Sequence, residues 1–206
     1  MNFNSDTSRL AQALNDFFDL DYLLEKLAQV LIKASENCTI SYAEIKECCH
    51  DLSEDVLLLC WKWKLLIPLR TSGCGEWDNL ILLAEEGENY QLPNVSRFLV
   101  DIARISGHWD SQEAIFRLFR IMNEPAWQMM PELVVKMMAK AVNGKVDALA
   151  IREACREVNM EERLDTMIAI LKGSGIISPK LASKVQISRI GSPLYEVNPC
   201  VFAEMK

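Results

Sequence analysis

Four cations stand without an acid between residues 166 and 195: Lys172, Lys180, Lys184 and Arg189. Side chains of this type neutralise phosphates and reach into a minor groove. Gln186 and Ser188 add polar groups to the same stretch. A solvated surface is the plainer reading of the same residues. Arg163 is a further, weaker candidate for a nucleic-acid contact, because three carboxylates, Glu161, Glu162 and Asp165, surround it. Cys48, Cys49, His50, Cys60 and Cys74 raise metal chemistry. Structural zinc uses closely spaced pairs such as C-x2-C from two places in the chain, and no such pair occurs. No metal and no other cofactor is therefore expected. The two histidines, His50 and His108, stand in no nucleophile–base pattern. Gly173-Ser174-Gly175-Ile176 lacks the lysine of a phosphate loop. The residues point to a protein that binds, not to an enzyme.

These side chains need elements to position them. Asp147 is placed to cap a helix, and Ile151, Ala154, Cys155 and Val158 follow at i, i+3, i+4, i+7. After a break at Asn159-Met160, Leu164, Met167, Ile168 and Leu171 form a second stripe, which Gly173 and Gly175 can end. Val134, Met137, Met138 and Ala141 give a helix upstream, stopped by Asn143-Gly144. Ile176–Ser178 and Leu194–Val197 read as short strands around a turn at Gly191-Ser192-Pro193. In order this is helix, short strand, helix, helix, strand, loop, strand. The arrangement resembles a winged helix-turn-helix domain over about residues 130–202. The resemblance implies a second helix presented to a ligand, DNA being the common one.

The pattern recurs earlier. Leu24, Leu27, Ala28 and Leu31 make one stripe, and Cys38-Thr39-Ile40 a short strand. Ser41 with Glu44 makes a capping box. Tyr42, Ile45, Cys49 and Leu52 line the next helix. Ser53 is expected to cap another, carrying Val56, Leu59, Cys60 and Trp63. Leu65–Leu69 and Asn79–Leu83 are expected to be strands flanking the loop 71–79. The expected fold is mainly α with small β-hairpins (α+β), as tandem winged-helix domains joined by a helical connector. The divisions are an N-terminal helix or arm at 1–20, a divergent winged-helix domain at 21–90, a helical connector at 91–128, and a winged-helix domain at 129–206. In the connector, Val95, Phe98, Leu99, Ile102 and Ile105 form one stripe, and Ile115, Leu118, Phe119 and Met122 another. Arg97, Arg104, Arg117 and Arg120 read as surface residues, Arg97 and Arg117 with acids four residues away at Asp101 and Glu113. The N-terminal helix carries Leu10, Leu14 and Phe17 on one face, to pack on the first domain or to grip a second subunit.

The charge is divided. The net is −7 over 206 residues, −9 in residues 1–90 and +2 in 91–206, so only the C-terminal half meets a polyanion without a general penalty. The helix from Ser53 opens with Glu54 and Asp55 and carries Leu58, Trp61 and Leu65 on a second apolar face. That face suits protein better than a groove, unless the chain covers it itself. Two partner classes follow: the leading one is double-stranded DNA, met through the C-terminal module at Arg163, Lys180, Lys184 and Arg189 as in a transcription-regulator-like factor; the alternative is a protein partner or homodimer at Leu58, Trp61 and Leu65. In the second case the chain resembles tandem winged-helix subunits of chromosome-segregation complexes, which use the fold to bind protein. A ligand or redox sensor around the connector or Cys74 is a third reading, although no basic neighbour is evident to activate that thiol. No apolar run approaches the ~20 residues of a membrane span. Seven cysteines without a visible secretory signal imply reduced thiols in a cytoplasm.

Overall fold

The computed structural model describes residues 3–16, 18, 21–70, 76–77, 80–180 and 192–202. It is mainly helical, with two small antiparallel sheets of three strands each. The first unit runs α2 (Asp21–Asn37), β1 (Thr39–Ser41), α3 (Tyr42–Cys49), a 3-10 turn at His50–Leu52, α4 (Ser53–Lys62), β2 (Ile67–Pro68) and β3 (Asn89–Gln91). The stripe Leu24, Leu27, Ala28 and Leu31 of α2 is buried. The Ser41 side chain accepts from the Glu44 N–H while the Glu44 carboxylate accepts from the Ser41 N–H, so the capping box is complete.

Two expectations in this unit are corrected. Ser53 does not cap α4. It is the first helical residue, and its hydroxyl donates back to the His50 carbonyl. The hairpin's return strand is Asn89–Gln91; Leu80–Leu83 form no strand, and Asn79 lies outside the described residues. Ile81 is 68% exposed, whereas Tyr90 is fully buried between exposed Asn89 and Gln91. Period-two alternation therefore lies in the polar–Tyr–polar triplet and not in the apolar run. The Tyr90 hydroxyl donates to the Leu83 carbonyl, tying the run to the sheet without making it a strand.

The second unit runs α7 (Met130–Ala139), β4 (Lys145–Asp147), α8 (Ala148–Glu157), a 3-10 turn at Glu161–Arg163, α9 (Leu164–Gly173), β5 (Ile177–Pro179) and β6 (Leu194–Val197). Asp147 caps α8 by accepting from the Ala150 N–H at 2.7 Å. Asn159, at φ 58°, makes the break between α8 and the following turn. Gly175 takes the left-handed conformation at φ 79°, while Gly173 remains the last helical residue.

The two units repeat each other closely. Their sheets have the strand orders β1-β3-β2 and β4-β6-β5. The central tyrosines Tyr90 and Tyr195 face Ile40 and Val146 on one side, and Pro68 and Pro179 on the other. The helix endings match as well. Lys64 donates its N–H to Trp61 and Leu65 to Cys60; Gly175 donates to Lys172 and Ile176 to Leu171. Lys64 and Gly175 are both left-handed.

Three helices frame the pair: α1 (Phe3–Asn15), α5 (Asn94–Ser106) and α6 (Ser111–Ile121). Helix α1 packs on α2 and α5, with Leu10 and Leu14 buried; Phe17 lies outside the described residues. Gly107, at φ 77°, ends α5, and Asp110 caps α6 through the Glu113 N–H. Val95, Leu99 and Ile102 are buried as expected, but Ile105 is exposed, because the helix ends on the solvent side there. Met122, the cap residue of α6, is also largely exposed. The indole of Trp109 donates to the Cys200 carbonyl at 2.8 Å, holding the final 3-10 turn, Pro199–Phe202, against the helical frame. The buried apolar residues of both units and the frame join in one core. No helix among the described residues is long and apolar enough to cross a membrane.

Candidate interaction surfaces

The four residues expected to meet nucleic acid are not brought together among the described residues. Lys184 and Arg189 lie outside them, as does Cys74. Lys180 is half-buried, and its backbone N–H extends the β5–β6 pairing to Leu194 at 2.8 Å. Arg163 does not point to a ligand. Its guanidinium donates to Glu124 at 2.6 Å, and that carboxylate is almost wholly buried in the turn before α7. Burial pushes the Glu124 carboxyl up, but the Arg163 hydrogen bond and the Ala126 N–H outweigh it and leave the group below its ordinary range. This pair fastens the start of α9 to the frame. No periodic pattern signals it, since the partners are 39 residues apart.

Other cations of the second unit are similarly engaged. Arg156 grips Glu161 through two hydrogen bonds of 2.9 and 2.7 Å. Lys136 and Lys140 both reach Glu157, and Lys140 also reaches Glu153. At the leading end of α9, Glu162 and Asp165 remain exposed. A major groove would meet carboxylates there.

Helix α4 presents a different surface. Glu54, Asp55 and Leu58 are exposed, Leu58 to 58%. Asp51 is exposed in the preceding turn. Asp51, Glu54 and Asp55 form no salt bridge with any cation among the described residues. Trp61 is partly exposed, and its ring carries the Lys64 ammonium 3.7 Å from the centroid. Leu65 does not belong to this face. It is 0% exposed, because the left-handed Lys64 turns the chain into the core after α4. The apolar face reduces to Leu58 and Trp61.

Trp77 was not singled out by its spacing. It is buried, and its backbone N–H donates to the Ser178 hydroxyl at 3.1 Å, so Trp77 of the first unit lies on β5 of the second. A cleft of about 220 Å³ lies beside it, lined by Pro68, Gln91, Asn94 and Lys172 among others. The ends of two helices meet at this cleft: the Val95 N–H at the start of α5 donates to the Ser174 carbonyl just past α9. Opposed helix ends of this kind satisfy each other's orphan groups.

The connector arginines Arg97 and Arg104 share Asp101, at 3.9 and 2.9 Å, and Arg117 pairs with Glu113 at 2.6 Å. Arg120 instead lies over the Trp127 ring, 5.7 Å from its centroid. Six described cysteines are free thiols. Burial pushes the Cys49 thiol up to about 11 and Cys200 up to about 12, which keeps both protonated and unreactive. Among the described residues no three His, Cys, Asp or Glu side chains are grouped to hold a metal ion.

No curated protein and no solved structure matches this chain. A family model matches residues 10–206, nearly the whole length, and the chain belongs to that family, one of unknown function.

Proposed function

We propose that this is a non-enzymatic, cytoplasmic tandem winged-helix protein that works by binding protein, with the outer face of α4 as its docking surface and a basic, apolar segment as its ligand. The repeated helix–strand–helix–helix–strand–strand order, with matching sheet orders, supports the winged-helix reading of both units. One observation carries the choice of ligand: Asp51, Glu54 and Asp55 flank an exposed Leu58 and the half-exposed Trp61. Unbalanced carboxylates repel phosphates and attract lysine or arginine, while Leu and Trp supply apolar contact. The second unit's helix is no better suited to DNA, since Arg163 is held by Glu124.

Two measurements test the reading together. A synthetic amphipathic leucine–lysine helix should bind saturably, with a change in tryptophan emission that Leu58→Glu and Trp61→Phe remove. A duplex-DNA mobility shift should show no salt-sensitive complex. A shift at low salt that Lys184→Glu and Arg189→Glu abolish would establish the nucleic-acid alternative and overturn this proposal.

A further inference from the structure

A second surface stands apart from α4, where α6 ends and the chain turns toward α7. Asn123, at φ 54°, makes the turn, and Trp127–Met129 forms a 3-10 helix that packs against α6. Ile121 is 67% exposed, and Met122 and Met129 are exposed in the same segment. Phe116 and Trp127 are half-buried and meet edge to face at 4.4 Å. Between Ala114 and Pro131 the chain has a single acid, Glu124, and that carboxylate faces inward to Arg163. The outward surface of this segment therefore carries apolar side chains and no negative charge.

Arg120 supplies its polar anchor. The guanidinium rests over Trp127 and meets no carboxylate within ion-pair distance among the described residues. A cation–π attraction to the indole favours this placement of a side chain that would otherwise lose rotamer freedom on binding. Arg, Trp, Met and Phe are the residues enriched at the centres of protein interfaces, and Lys, Glu and Asp are depleted there. We infer that this surface, Phe116, Arg120, Ile121, Met122, Trp127 and Met129, docks an amphipathic helix whose apolar stripe is bordered by carboxylates. The choice of occupant follows from charge. Among the described residues, Arg120 is the cation presented with this face that forms no salt bridge, and its planar fork matches a carboxylate. The surface is independent of α4, whose acids select the opposite charge.

The test uses the full chain with carbon-13 methionine methyls and nitrogen-15 tryptophan indoles, titrated with a synthetic amphipathic leucine–glutamate helix and, separately, with its leucine–lysine counterpart. The Trp127 indole and the Met122 and Met129 methyls should shift saturably with the glutamate peptide. The lysine peptide should be about tenfold weaker at these reporters, roughly the worth of one charge-assisted contact. Ile121→Asp should abolish the shifts, and Arg120→Glu should reverse the preference between peptides, both with an unchanged melting temperature. Absence of saturable shifts, equal affinity for the two peptides, or shifts in the peptide-free protein that grow with its own concentration would each overturn the inference; the last would mark a contact between copies of the chain. Binding of the lysine peptide at α4 reports on the other surface and leaves this one to be judged by its own reporters.

Discussion

Lys64 and Gly175 hold the same place in the two units, and one side chain joins them: the Asn198 carboxamide donates to the Lys64 carbonyl at 3.3 Å and to the Gly175 carbonyl at 3.0 Å. Its oxygen accepts from the Cys200 N–H at 3.1 Å, so a wholly buried amide is fully used. The contacts are reciprocal. Asn198 follows β6 as Pro93 follows β3, and Pro93 lies against Gly175 while Asn198 lies against Lys64. Such exchange of equivalent positions is the signature of an isologous interface, here within one chain.

Asn198→Ala should lower unfolding free energy by about 1–3 kcal/mol, since the Gly175 carbonyl and the Cys200 N–H lose this partner and the Lys64 carbonyl is left with the Ser96 hydroxyl. Asn198→Asp should be worse at neutral pH and recover on acidification, because a carboxylate facing two carbonyls is tolerated only when protonated. Urea unfolding at two pH values measures both. Equal stability of Asn198→Asp at both would contradict this account.

Gly175→Ala should cost about 2–4 kcal/mol, from a left-handed backbone and an overpacked contact. An added Cβ would stand 2.7 Å from the Pro93 Cβ. Gly144→Ala is the control. It has a similar φ of 69° but open space around it, so it should cost only about 1 kcal/mol. Thermal melts of the two variants separate crowding from backbone strain.

Glu124→Gln should destabilise by about 1.5–3 kcal/mol at neutral pH, the range for a hydrogen bond to a charged group. The Glu124 carboxyl is depressed in the folded state, so its contribution is present above the unfolded carboxylate value and is lost as pH falls through the folded one. The gap between wild type and Glu124→Gln should therefore close in acid. A gap independent of pH would mean that Arg163 gives the carboxylate no preference for its charged form.

The caps give a graded set. Ser41→Ala and Asp147→Ala should each cost about 1 kcal/mol, because each removes an acceptor from a free helix N–H. Ser53→Ala should cost less, since its hydroxyl caps nothing. Chemical denaturation of the three variants ranks them.

Local signals were the legible part of this molecule. Stripes at helical spacing, the Ser41–Glu44 box and the Asp147 cap are written in neighbouring residues and mark most helices; β5 and β6 of the second unit are legible in the same way, to within a residue. The misplaced β3 shows the limit. Ile81 to Leu83 is more apolar than Asn89 to Gln91, yet strand pairing is decided by what Tyr90 meets across the sheet, Ile40 and Pro68, which are distant in sequence. The candidate sites were read less well for the same reason. Spacing alone puts Leu65 on the surface, but the left-handed Lys64 breaks the helical register before it. Arg163 looked available because Glu124 lies 39 residues away. The connector surface went unassigned, since exposure of Ile121 and Met129 is set by packing and not by hydropathy.

The reciprocal packing of Pro93 on Gly175 and Asn198 on Lys64 has a consequence for stoichiometry. A true homodimer with this geometry would offer each docking face twice and could not alter one without altering the other. Covalent linkage removes that constraint. Position 58 carries a leucine in the first half while its counterpart, Ala169, is small in the second. Each face is thus displayed once, and a partner that docks on it should load one molecule per chain, at any dilution of the protein.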